Sequence, residues 1–108
     1  MNNRIETELS KYDVKSDSLF FVKDSFIHRN ITDMDILVSV GENIVNFNGY
    51  IELNKSAAFL WDCMKNGSTV KNMAISLKKK FGVDEKTALN DTLDFLKELL
   101  EHDMVVVK

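Results

Sequence analysis

At residue 54 the apolar residues change their period, and with it the kind of element the chain can form. Before Asn54 they come in short β-branched or aromatic runs, such as Leu19-Phe20-Phe21-Val22 and Ile36-Leu37-Val38. Such runs suit a pleated, half-buried surface. After Asn54 the apolar residues recur at i, i+3, i+4 and i+7, as in Ala57, Leu60, Trp61 and Met64. That spacing places them on one helix face. Strands first and helices after predict an α+β domain. At 108 residues the chain has room for one core, which buries about two-thirds of the unfolded surface.

Residues 1–18 are polar, with Ile5, Leu9 and Tyr12 marking one face of a short helix. Three apolar residues are too few to hold a helix alone, so this segment is expected to be a flexible arm ahead of a domain at 19–108. Strands are expected at 26–31, 36–40 and 50–53. Asp33-Met34-Asp35 is read as a turn, Gly41 as the close of the second strand, and residues 44–47 as further extended chain. Asn48-Gly49 is the strongest hairpin signal, because both residue types tolerate positive φ.

Three helices follow with legible ends. Asn54 is a good N-cap, and Gly67 stops the first helix. The second starts after Ser68-Thr69 and stops at Gly82; Lys78, Lys79 and Lys80 suit the negative end of its dipole. Asp84 caps the third. That helix carries two adjacent stripes, one through Ala88, Thr92, Phe95 and Leu99, the other through Leu89, Leu93, Leu96 and Leu100. Residues 104–107 return to strand character. The expected architecture is winged-helix-like: a small antiparallel N-terminal β-sheet, a three-helix unit and a short terminal strand.

Composition excludes several classes. The single cysteine, Cys63, cannot form an internal disulfide, and residues 1–17 hold no apolar export signal. Both point to the cytoplasm. No apolar run approaches the length of a membrane span. Cys63, His28 and His102 lie too far apart in sequence to suggest a zinc site. A Cys–His pair could arise only through folding, and a mid-helix cysteine among apolar neighbours usually behaves as a small hydrophobe. No phosphate-binding glycine loop or hydrolase motif is present, so no catalytic residue, metal or cofactor is expected. The net charge of −3 is uninformative as a total. From Asp84 to Asp103, however, seven acidic residues stand against Lys86 and Lys97 alone. A recognition helix of that charge repels phosphates, which weighs against nucleic acid as a partner.

Two features remain open. The second stripe of the third helix either covers the sheet or lines a groove. The strand at 50–53 lies at a candidate sheet edge, where unpaired N–H and C=O groups can accept an extended peptide.

The segment Leu53-Asn54-Lys55-Ser56-Ala57-Ala58-Phe59-Leu60-Trp61 resembles the L-N-x-(S/T)-A-A-x-(I/L)-W pattern of PqqD-like proteins. Gly67-Ser68-Thr69-Val70, Phe81-Gly82-Val83-Asp84 and the set Asp91, Phe95, Leu96 and Leu99 are similar to later motifs of that family, in order and spacing. The likeness spans roughly residues 20–107. It implies a non-catalytic element that recognises the leader of a ribosomally made precursor peptide. The leader would add as a strand to the third strand, against the third helix, and be presented to a modifying enzyme such as a radical SAM protein. By position the peptide site would fall on Tyr50, Ile51, Glu52, Leu53, Leu89, Leu93 and Lys97. The chain departs from the family in three ways: His102-Asp103 replaces a frequent glycine, the 44–47 segment is long, and residues 1–18 have no counterpart. The alternative reading is a winged-helix regulator or adaptor that binds protein or DNA. Nothing in the sequence fixes the oligomeric state.

Overall fold

The computed structural model describes residues 4–40 and 50–108. The Asn48-Gly49 turn, Gly41 and the 44–47 segment therefore lie outside the described residues. Strands β1 (Phe20–Val22), β2 (Phe26–Ile31), β3 (Met34–Ser39) and β4 (Tyr50–Leu53) precede helices α2 (Lys55–Cys63), α3 (Val70–Phe81) and α4 (Glu85–Glu101). A short helix, α1 (Arg4–Glu8), opens the chain, and β5 (Val105–Val107) follows α4.

The fold is α+β, with two antiparallel sheets. One has the order β2-β3-β4, and the other pairs β1 with β5. In the first, Ile31 pairs with Met34, which leaves Thr32-Asp33 as a two-residue loop. Both loop residues have positive φ, 51° and 67°. This is the backbone a tight hairpin needs to match strand twist. The turn therefore sits earlier than the expected 33–35, and Met34 and Asp35 belong to β3.

All three expected helix starts are capped. Asn54 Oδ1 accepts the Ala57 N–H at 2.8 Å, Thr69 Oγ1 that of Asn72 at 3.1 Å, and Asp84 Oδ1 that of Thr87 at 2.7 Å. Each such cap is worth about 1 kcal/mol. Helix α2 ends at Cys63, earlier than the expected stop. Gly67 has a different task. A Cβ there would lie 2.5 Å from the Phe21 ring, and its φ of +89° suits glycine. At the end of α4, Asp103 takes the left-handed conformation, φ 56°.

The core collects Phe20, Leu37, Leu60, Trp61, Met73, Leu77, Leu93, Leu96 and Met104, all at most 2% exposed. It also includes Ile5, Leu9 and Val14. Residues 4–14 are thus not the loose arm expected from their composition. Leu9 is fully buried, and Lys97 Nζ on α4 donates to Glu8 Oε1 at 2.7 Å. Tertiary burial supplies what a five-residue helix lacks by itself. No helix among the described residues is long and apolar enough to cross a membrane.

Candidate functional site

Strand β4 pairs with β3 on one side, Val38 with Tyr50 through Asp35 with Leu53. No described strand lies on its other side. Residues of an antiparallel strand alternate in the direction of their N–H and C=O groups, so every second residue of this edge offers both outward. Side chains alternate between faces as well. Leu53 is buried and Ile51 half-buried, while Tyr50 and Glu52 are exposed.

Beside this edge runs a groove of about 560 Å³. Ile51, Leu53, Leu37 and Leu60 line its sheet side, and Met104 its end. The α4 wall consists of Asp91, Asp94, Phe95, Glu98, Leu99 and His102. Their spacing, i, i+3, i+4, i+7, i+8 and i+11, places them on one face of the helix. Phe95 and Leu99 are buried at the base, and the three carboxylates stand exposed above them.

A polar cluster holds α2 against the sheet behind this groove. His28 on β2 bonds Asp62 of α2 through Nδ1 at 2.9 Å and Asp35 of β3 through Nε2 at 2.8 Å. Lys55 Nζ adds a bond to Asp35 at 2.9 Å. Burial disfavours charge on His28, but the bonds to Asp62 and Asp35 outweigh it and raise its pKa. Only the imidazolium donates from both nitrogens. Bonds from Asn30, Lys55 and His28 hold the Asp35 carboxyl far below the usual carboxylate range. Burial, then the nearby Asp62 charge, pushes the Cys63 thiol up, away from the thiolate that a nucleophile needs. No group of three or more potential ligands among the described residues is placed to hold a metal ion.

The family model for PqqD, coenzyme PQQ synthesis protein D, matches residues 36–105, which include most of β3, all of β4 and the three long helices, and so both walls of the groove. The chain belongs to the PqqD family. Two solved structures share its fold. One is TbiB1 in complex with the TbiA(beta) leader peptide, 19% identical, with a TM-score of 0.62 over 79% of this chain and 93% of that one. The other is a lasso peptide synthetase B1 complexed with its leader peptide, 18% identical, with a TM-score of 0.63 over 81% and 96%. No curated protein matches the chain.

In this PqqD-family chain the motif residues build the scaffold of the groove. Asn54 caps α2, Ala57 and Leu60 line the groove, and Trp61 is buried with its ring edge-on to Phe26, 6.3 Å between centroids. The structure divides the sequence-predicted site residues. Ile51, Glu52 and Leu53 line the groove, and Tyr50 continues the same edge on the outer face of the sheet. Leu89, Leu93 and Lys97 do not line it. Leu93 is fully buried core, and Leu89 lines a separate cavity with Ile5, between α1, α3 and α4. Lys97 is engaged by Glu8, whose carboxyl Lys97 and then Arg4 hold below its ordinary pKa. The α4 wall of the groove is the neighbouring face, through Asp91, Asp94, Phe95, Glu98 and Leu99. The alternation of acidic and apolar residues along that face was the available signal.

Proposed function

We propose that this protein captures the leader segment of a ribosomally made precursor peptide and presents the remainder to a modifying enzyme, such as a radical SAM protein. The leader adds antiparallel to β4 through main-chain hydrogen bonds and lays alternate side chains into the groove against α4. The observation that carries this reading is the edge of β4 that no described strand covers, beside a groove floored by apolar side chains. Membership of the PqqD family supports it, as do the leader-peptide complexes of two proteins of the same fold. The raised Cys63 pKa supports an adaptor rather than a thiol enzyme.

A strand added to four residues forms few main-chain bonds, each worth about 0.5–1.5 kcal/mol net, and the peptide must be ordered to form them. Affinity is therefore expected to be modest. Titration with the leader peptides encoded beside its gene should give saturable binding, with resonance shifts at residues 50–53 and along the Asp91–Leu99 face. If no neighbouring precursor binds, the reading falls. DNA is disfavoured by the carboxylates exposed on α4.

A further inference from the structure

The groove has a charge as well as a shape. Asp91, Asp94 and Glu98 stand at i, i+3 and i+7 on its helical wall, and Glu52 lies on the edge strand opposite. No Lys or Arg lines the groove. None of these four carboxylates forms an ion pair with a described residue. Elsewhere several acidic groups are paired, as in Glu8 with Lys97, Asp35 with Lys55 and Asp103 with Lys23, whereas in the groove none of the four is. Like charges three and four apart on a helix repel, so Asp91–Asp94 and Asp94–Glu98 each cost the free protein a few tenths of a kcal/mol. A cationic partner would remove that cost.

We infer that the occupant of this groove is a basic extended peptide segment, with apolar side chains at alternate positions and Lys or Arg between or beside them. The inference rests on the strand-addition reading above and specifies its ligand class. Both faces of an added strand meet negative charge. Side chains turned toward α4 pass over Phe95 and Leu99 and end near Asp91, Asp94 or Glu98. Side chains turned the other way lie on the same face of the sheet as Glu52, because strand side chains alternate. A long Lys or Arg stem can cover the apolar base while its head stays at the rim. An acidic segment of the same shape would be repelled, which makes the wall a filter against wrong partners.

The test is selection of random dodecapeptides, displayed in a library, against the full chain at low ionic strength. The enriched pool should carry net positive charge, compete for one site and shift residues 50–53. An enriched peptide should bind Asp94→Asn/Glu98→Gln about three- to tenfold more weakly, as expected for two exposed ion pairs. High salt should reduce that difference. Neutral or acidic peptides that shift residues 50–53 would overturn the charge inference and leave strand addition standing. The same holds if basic peptides bind the double variant as tightly as the parent. Basic peptides that bind without shifting residues 50–53 would overturn the proposed site. A library with no binder competing at β4 would remove the strand-addition reading itself.

Discussion

On one side of α4, Leu89 and Lys97 meet the chain's own N-terminal segment; on the other, Asp91, Asp94 and Glu98 face an open groove. The first side is occupied by the molecule itself, beside the cavity that Leu89 and Ile5 line. Ile5 and Leu9 extend its core, and Glu8 neutralises Lys97. The second has an apolar base, a strand edge beside it that no described strand covers, and a rim of like charges. The same helix thus shows what a completed interface and an uncompleted one look like in a small domain. The signs of the difference are charge pairing and backbone satisfaction more than hydrophobicity, since both sides have leucines.

Substitutions on the two sides should separate them. The largest effect is expected from Leu93→Asp. An unpaired carboxylate at a fully buried position costs about 3–5 kcal/mol, a large share of the stability of a domain this size. Circular dichroism should show a destabilised or unfolded chain; a native variant with weakened peptide binding would put Leu93 in the groove after all. Next comes Leu9→Ala, which should lower stability to urea by about 2–5 kcal/mol through the cavity it leaves. A change under about 0.5 kcal/mol would return residues 1–18 to the status of a loose arm.

The sheet wall of the groove should respond to pH through His28. Its folded pKa lies above the ordinary 6.5, so its contribution is complete below that value and is lost as pH rises through the folded pKa. Urea midpoints should therefore fall on the alkaline side of 6.5, and His28→Gln should flatten that limb. Asp35 acts in the opposite sense. Its pKa is depressed, so its contribution is present above about 3.8 and is lost on acidification below it. The smallest effects should differ in sign between the two sides of α4. Lys97→Met should lower stability by up to about 1 kcal/mol. Asp94→Asn should raise it by about 0.2–0.5 kcal/mol through relief of repulsion. Calorimetry on the pair measures the contrast directly, and equal signs would erase it.

Much of this fold was legible because local chemistry dictates it. Asn54, Thr69 and Asp84 announce their helices by capping them. The hairpin after β2 was misplaced because Thr32 is a poor candidate for positive φ, and only the pairing of Ile31 with Met34 requires it. That the groove meets Phe95 and Leu99 rather than Leu89, Leu93 and Lys97 escaped the sequence for a related reason. The two stripes of α4 are adjacent and both apolar, so periodicity alone cannot say which one meets the sheet. That depends on whether residues 4–14 cover the other, and their helix has no stability of its own to announce it. The edge at 50–53 was legible because it lies directly before an unmistakable helix start.

The pairing of β1 with β5 closes a loop of more than eighty residues. Phe20 pairs with Val107, and Leu19 and Lys108 exchange backbone hydrogen bonds at 2.9 and 2.8 Å. Phe20 also exchanges bonds with Ser68 in the loop before α3. Without β5, β1 would keep backbone bonds only to the region between α2 and α3, Phe20 with Ser68 and Val22 with Met64, while the β2-β3-β4 sheet keeps all of its own pairing. Closing so long a loop costs entropy that the other contacts must offset. The β1–β5 ribbon therefore acts as a latch, fastening residues 19–22 to residues 105–108 without touching the edge at β4.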